Sequence, residues 1–237
     1  MIIDFHTHIG RSRDGASQTI SDTLSTMKKC RIERSFVFPI DEANPGPSYR
    51  KLNQKIAGIT KRHKNIIGCA RLNPNELDAS FDEIEKAVKN GFRAVKFHPR
   101  SDEFCAEQAK PLLPVISQNR LIVILHTDHH SNCHPQDWFS IFKKFSKTYF
   151  VLTHAGKDVF HQAVTAAKFP NVYLDTSTIS YYRTGVILKQ AGIKKVVFAS
   201  DVPYSHVELE IKKFELLLPA SKRKFVFREN ARKILSL

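Results

Sequence analysis

Eight short apolar runs follow one another along the chain at intervals of 23 to 33 residues. They are rich in Val, Ile, Leu and Phe and show little polar alternation, which is typical of parallel strands that are covered on both faces. The runs predict strands over residues 2–9, 35–40, 66–73, 94–99, 121–127, 149–155, 172–177 and 196–201.

The segments between these strands have helical periodicity. The clearest is 80–88, where Ser80 and Glu83 have the spacing of a capping box and Gly91 gives a stop. Further helices are predicted over 19–29, 49–62, 107–118, 135–144, 157–169, 183–191, 206–218 and 228–237.

Eight alternating strand and helix units in 237 residues predict an α/β protein with a (β/α)8 TIM barrel. The even spacing leaves no room for a second domain, so residues 1–237 are expected to form one domain. An open doubly wound sheet is the alternative, but no Gly-x-Gly-x-x-Gly turn follows the first strand.

The composition fits a cytoplasmic protein. No apolar run is long enough to span a bilayer, and the first residues lack the basic and apolar regions of a secretory signal. Four widely spaced cysteines form no Cys-x-x-Cys pair, which favours reduced thiols. We therefore expect no membrane partner.

The formal net charge of +14 raises the question of a nucleic-acid partner. The basic residues are dispersed, however, and aromatic residues are not interleaved with them as a stacking surface would require. The charge therefore does not favour nucleic acid, although it does not exclude it.

A cluster of potential metal ligands ends the first predicted strand, which reads Asp4-Phe5-His6-Thr7-His8. Alternate residues of a strand point to the same face, so His6 and His8 should project side by side, with Asp4 on that face. Two neighbouring imidazoles favour a bound metal ion such as zinc.

Later strand ends carry further residues of this kind. His98, His126, His154 and Asp201 follow the fourth, fifth, sixth and eighth apolar runs. In a (β/α)8 barrel the active site lies at the carboxyl ends of the strands. Five of the eleven histidines would converge there, which packing alone does not explain.

These residues resemble the motifs of the amidohydrolase superfamily, and shorter matches resemble its amidohydrolase 2 group. That group includes aminocarboxymuconate semialdehyde decarboxylase, related aromatic-acid decarboxylases and many hydrolases. The matching stretches are VKFHP at 95–99, LTHAG at 152–156, NVYLDTS at 171–177, SDVPY at 200–204 and ENARKIL at 229–235.

The resemblance implies that His6, His8, His126 and Asp201 hold one divalent metal ion. Zn²⁺ is the first expectation, with Mn²⁺ or a second metal left open. It implies catalytic roles for Asp201, which accepts a proton from water or orients hydroxide, and for His154, which polarises the substrate or transfers a proton. His98 would contact the substrate from the rim.

Three further residues have expected roles around these ligands. Asp4 resembles a superfamily position and should be a buried acceptor behind the ligands. Lys96 stands where two-metal members carry a carboxylated lysine, but an unmodified lysine paired with a nearby acid is favoured. Arg71 is a candidate for binding a substrate carboxylate or phosphate.

Two kinds of loop could add to the site. The loop after the fifth strand carries His129, His130, Cys133 and His134, which could form a second metal site, but a surface loop is favoured because the spacing matches no common zinc pattern. The loops at 10–17 and 41–48 are the candidate lids, and long insertions are absent.

The function expected first is hydrolysis of a carbon–nitrogen or carbon–oxygen bond in a small molecule by a metal-activated water, since the chain lacks the insertions of larger decarboxylases. The alternative is non-oxidative decarboxylation of a small carboxylic acid at the same site. A TatD-like deoxyribonuclease is less favoured, because Lys96-Phe97-His98 stands where such enzymes carry a glutamate. A barrel that binds without catalysis is the non-enzymatic alternative, and a homo-oligomer is left open.

Overall fold

Residues 1–42, 45–46 and 48–236 are described by the structure, a computed structural model. Within them, one sheet contains nine strands: β1 Ile2–Arg11, β2 Ser17–Gln18, β3 Ile32–Pro39, β4 Ile66–Arg71, β5 Ala94–Phe97, β6 Ile122–His126, β7 Phe150–Thr153, β8 Val172–Asp175 and β9 Val196–Val197.

Helices alternate with these strands. The α-helices are α1 Ile20–Cys30, α2 Arg50–Arg62, α3 Leu77–Lys89, α4 Pro99–Asp102, α5 Ala106–Ala109, α6 Leu113–Gln118, α7 Phe139–Lys144, α8 Phe160–Ala166, α9 Tyr181–Ala191, α10 Val207–Leu217, α11 Ala220–Lys224 and α12 Asn230–Leu235. Short 3₁₀ segments cover Lys110–Leu112, Pro135–Trp138, His154–Val159 and Ile193–Lys195, and a π-helical turn covers Phe225–Glu229.

The sheet is curled and mostly parallel. Its strand order is β2-β1-β3-β4-β5-β6-β7-β8-β9, and only the short β1–β2 pair is antiparallel. The two ends of the parallel sheet approach each other, because the amide of Phe5 donates to the carbonyl of Phe198 at 3.0 Å. The amide of Asp201 likewise donates to the carbonyl of His6 at 2.7 Å.

Apolar packing forms two layers around this sheet. The inner layer includes Phe5, Phe36 and Phe38, and the first two rings stack with centroids 4.2 Å apart. The larger outer layer lies between the strands and the helices and contains residues such as Ile84 and Trp138. Strands covered on both sides explain the near-continuous apolar runs of the sequence.

Several predicted elements differ from the structure. The last strand was expected over 196–201 but covers only Val196–Val197, since the following residues bond to β1 instead of continuing a ladder. The helix expected over 107–118 is broken into three pieces, and Pro111 and Pro114 are each the second residue of one of the later pieces.

The capping box predicted at Ser80 is absent. Helix α3 begins at Leu77, and the Ser80 hydroxyl, inside the helix, donates to the carbonyl of Asn73 at 2.8 Å. The predicted last helix extends to residue 237, which lies outside the described residues.

Candidate metal centre

The ends of β1 and of the segment after β9 bring three ligand atoms together. The Nε2 atoms of His6 and His8 are 3.2 Å apart. The Oδ1 atom of Asp201 lies 3.0 Å from the first and 3.1 Å from the second. All three side chains are buried, so their facing atoms form a fixed group at the carboxyl edge of the sheet.

Asp4 lies behind this group rather than in it. Its Oδ1 accepts from the amides of His6 at 3.1 Å and Ser200 at 2.9 Å, so the carboxyl joins β1 to the last strand segment. The β1–β3 register shifts between Asp4 and Thr7, which breaks the simple alternation expected for β1. Burial raises the pKa of Asp4 to about 7.

An unexpected residue, Asp175 at the end of β8, orients His6. Its Oδ2 lies 2.7 Å from His6 Nδ1, and it is fully buried. A carboxylate at this distance favours the tautomer in which Nδ1 carries the proton, which leaves the Nε2 lone pair facing His8 and Asp201. The only sequence signal was an acid at a strand end within the NVYLDTS stretch.

The donor set fits a divalent cation. Two ring nitrogens and a carboxylate oxygen face one another at 3.0 to 3.2 Å, and a cation bound among them would satisfy all three. Tetrahedral zinc with bonds of about 2.0 Å places its ligand atoms about 3.3 Å apart. Burial lowers the pKa of His6, which keeps its ring neutral and able to bind a cation.

Asp201 is suited to the same role electrostatically. Burial raises the pKa of its carboxyl, but the facing rings of His6 and His154 outweigh burial and hold the pKa well below its usual range. Asp201 has φ of 56°, so a non-glycine residue is held in the left-handed region at this point. The carboxylate is therefore ionised and fixed in direction.

His154 lies beside the three ligands. Ligand atoms of His154, His6 and Asp201 all lie within 4.8 Å of one another. Its Nδ1 is 3.2 Å from the carbonyl oxygen of Ser177, so that nitrogen donates and Nε2 is left free. Burial lowers the pKa of His154 to about 4.

The backbone that carries His154 is unusual. His154 and Ala155 have φ of 58° and 40°, and Gly156 has φ of 77°. The amide of Gly156 donates to the Thr127 hydroxyl at 3.0 Å, and that hydroxyl donates to the carbonyl of Thr153. The turn is thus held to the end of β6, which fixes the imidazole near the ligands.

His126, the fourth expected ligand, contacts a different carboxylate. Its Nε2 lies 3.0 Å from Oδ2 of Asp128, a buried residue with no role predicted from the sequence. Ligand atoms of His126, Asp128 and Cys133 form a second group within 4.8 Å. His126 as a ligand with His6 and His8 thus stays a prediction.

His98 packs on this histidine, with ring centroids 3.8 Å apart and an interplanar angle of 10°. Its Nδ1 accepts from the amide of Ser101 at 3.2 Å and caps α4. In the loop that follows β6, the side chains of His129 and His130 are 50% and 39% exposed, while Cys133 is buried.

Arg71 and Lys96 lie in the same region on neighbouring strands. Arg71 forms a bidentate ion pair with Asp102, in which Nε lies 3.1 Å from Oδ2 and Nη2 lies 3.1 Å from Oδ1, and its guanidinium lies 4.7 Å from the centroid of the Tyr49 ring. Lys96 has no hydrogen-bond partner among the described residues, which differs from the acid pairing expected for it.

These residues line a cavity of about 570 Å³ at the carboxyl edge of the sheet. Its wall includes His6, His8, His98, His126, His154, Asp201, Arg71 and Lys96. The loop expected at 10–17 contributes Ser12, Arg13 and Asp14. Residues 43, 44 and 47 of the other expected lid lie outside the described residues.

Comparison with known families shows which family the chain belongs to. A family model described as amidohydrolase matches residues 3–237. The chain belongs to the amidohydrolase family. No curated protein matches the sequence.

Solved structures share the fold of this amidohydrolase at low sequence identity. An uncharacterised TIM-barrel protein from Bordetella bronchiseptica has a TM-score of 0.81 and 14% identity over 99% of this chain and 98% of its own. A 2,6-dihydroxybenzoate decarboxylase with bound 2,6-dihydroxybenzoate has a TM-score of 0.78 and 12% identity over 99% and 98% of the two chains.

A dihydroxybenzoic acid decarboxylase from Polaromonas sp. JS666, with bound manganese and the inhibitor 2-nitroresorcinol, is also similar. Its TM-score is 0.77 and its identity 15%, over 100% of this chain and 97% of its own. These likenesses establish the fold. In the described part of this amidohydrolase, no helix has the length and apolar character needed to cross a membrane.

Proposed function

We propose that this amidohydrolase is a metal-dependent decarboxylase that releases carbon dioxide from a small carboxylic acid. The observation that carries the proposal is the group of facing atoms from His6, His8 and Asp201, with His154 beside it in a cavity. The similarity to two decarboxylase structures favours this reaction over the hydrolysis expected first from the sequence.

His6, His8 and Asp201 would hold the metal, and His126 is proposed as a fourth ligand. Zn²⁺ or Mn²⁺ fits this set of nitrogen and oxygen donors. A bound divalent ion would supply positive charge that polarises substrate oxygens. We also infer a closed (β/α)8 barrel, because the Phe5–Phe198 and His6–Asp201 backbone hydrogen bonds join its two ends.

We assign delivery of the proton in this reaction to His154. Decarboxylation breaks a carbon–carbon bond, leaves the electron pair on the substrate carbon and requires a proton there. A carboxylate bound nearby would raise the pKa of His154 from its low value, because opposite charge favours the imidazolium. Its Nε2, which has no role in the Ser177 contact, could then hold and deliver that proton.

The test has two parts. The metal content of the purified protein is measured, and carbon dioxide release is then assayed with a panel of hydroxybenzoic and unsaturated acids. We expect about one equivalent of divalent metal, and release that is lost in His6→Asn. Less than about a tenth of an equivalent of metal, with no release after zinc or manganese is added, would overturn the proposal.

Hydrolysis is the second candidate function, favoured by the neutral His154 and ionised Asp201 facing one point. Such a pair can position water and accept its proton. The same preparation should be assayed on lactones, esters and amides. Turnover of one of these, without carbon dioxide release from any acid, would favour the hydrolase.

A further inference from the structure

Lys96 occupies a central place in the cavity wall. It lies in β5, directly opposite Arg71 of β4 in the parallel ladder. Both side chains are 1% exposed, and both line the cavity. Two cations therefore lie side by side on adjacent strands, at the edge of the sheet where the ligands converge.

Only one of these two cations is hydrogen-bonded to a carboxylate among the described residues. Arg71 has the bidentate contact with Asp102, and a second carboxylate, Asp41, lies 3.8 Å from its Nη2. The Lys96 ammonium lies 4.9 Å from the centroid of the Phe38 ring and has no hydrogen-bond partner among the described residues.

An unpartnered buried ammonium is costly, because water no longer solvates it and no carboxylate replaces that water. A face-on aromatic ring recovers only part of that loss. Burial lowers the pKa of Lys96 to about 8, so the amine still carries its proton at neutral pH. The charges of Asp201 and Asp175 act on the Lys96 ammonium, but among the described residues no anion is hydrogen-bonded to it. The wall of the cavity therefore presents a positive charge without a directly bonded anion.

We propose that Lys96 Nζ binds an anionic oxygen of the substrate, and that this oxygen belongs to a group that stays on the substrate. The second part of this proposal, that the oxygen belongs to a group that stays on the substrate, rests on the proposed function. A cation paired with the departing carboxylate would stabilise the ground state more than the transition state, since carbon dioxide leaves uncharged. A group that keeps its charge, a second carboxylate or a phenolate, gains from the contact throughout.

The test compares two probes, benzoate and benzene-1,3-dicarboxylate, by titration calorimetry. Measurements are made with added zinc and after chelation, so that metal contacts can be separated from the lysine contact. We expect wild-type protein to prefer the dicarboxylate by about ten- to a hundredfold, the usual range for a charge-assisted hydrogen bond. Lys96→Met should bind both probes with similar affinity.

Lys157→Met is the matched control, since Lys157 is a second lysine of the cavity wall but is partly exposed. It should keep the preference for the dicarboxylate. If Lys157→Met lost as much of the preference for the dicarboxylate as Lys96→Met, diffuse positive charge would explain binding and the inference would be wrong. It would also be wrong if wild-type protein had no preference, or if Lys96→Met retained one.

Thermal unfolding supplies a second readout. Without ligand, Lys96→Met should melt at or above the wild-type temperature, because the change removes an unpartnered buried charge. A lower melting temperature would show a structural role and overturn the inference. Loss of the preference in Lys96→Met, in a protein that releases carbon dioxide from no acid, would reject the decarboxylase and retain the anion contact.

Discussion

Asp175 contacts a proposed metal ligand, His6, without belonging to the proposed ligand set. Its carboxylate holds His6 with Nε2 toward His8 and Asp201. Asp175→Asn should therefore weaken zinc binding by about 10- to 100-fold, the usual effect of losing such a partner. Competition with a chromogenic chelator measures this. Asp158→Asn, a change at an exposed carboxylate, is the control and should leave zinc affinity unchanged.

His154 gives the second prediction at this scale. It lies within 4.8 Å of the ligand atoms of His6 and Asp201, but its Nδ1 is engaged by Ser177. His154→Asn should lower turnover by about 10²- to 10⁴-fold, the range for losing a positioned acid or base. The metal content should remain at the wild-type level. Loss of metal together with turnover would instead identify His154 as a ligand.

Residue types at strand ends allowed His6, His8, His154 and Asp201 to be predicted as neighbours, because parallel strands end at one edge of a sheet. Asp175 and Asp128 were missed for a physical reason. A carboxylate that orients an imidazole is recognised by a contact between distant strands or within a loop, and no spacing in the sequence records that contact. That Lys96 has no hydrogen-bond partner in the described part of the chain is equally a property of the folded cavity.

Between elements, the turn after α3 is fixed to β4 by the contact of Phe92 with Gly68. A Cβ atom at Gly68 would lie 2.4 Å from the ring of Phe92, which is buried. Gly68→Ala should therefore destabilise the protein by about 1–3 kcal/mol through overpacking. Urea unfolding measures this, and adding Phe92→Leu to Gly68→Ala should recover part of the loss.

Gly58→Ala is the matched control for that change. Gly58 lies inside α2, and a Cβ atom there would meet nothing within 4 Å. Replacing a helical glycine with alanine should stabilise the protein by about 0.5–1 kcal/mol. Equal effects of the two substitutions would show that the Phe92 contact does not hold the turn.

The order of the strands and helices could be predicted from the spacing of apolar residues, but the residues at which they begin and end could not. Predicted helices at 49–62 and 206–218 differ from α2 and α10 by one residue at one or both ends. The strand expected over 196–201 is shorter because backbone hydrogen bonds to β1 replace a ladder. The capping box predicted at Ser80 does not form, because its hydroxyl donates to the carbonyl of Asn73, which precedes the helix.

For the whole molecule, burial of histidines links folding to pH. His126 and His154 are buried, and burial lowers the pKa of each to about 4, against an ordinary value near 6.5. Between these values the unfolded chain binds protons that the folded protein does not, so these two histidines make the metal-free protein less stable as pH falls. Asp4, whose pKa burial raises to about 7, contributes in the opposite direction. The excess of basic residues, with a net charge of +14, adds repulsion in the same direction as the histidines.

Each of these two histidines should accordingly lower the free energy of unfolding of chelated protein by about 2 kcal/mol between pH 7 and pH 5. Urea unfolding at the two pH values measures the difference. His154→Asn should reduce it, because one of the two titrating groups is gone, whereas His206→Asn, at an exposed side chain, should not. Since only the unfolded chain takes up this proton, an unchanged pH dependence in His154→Asn would mean that the folded cavity already admits water and protons to this imidazole.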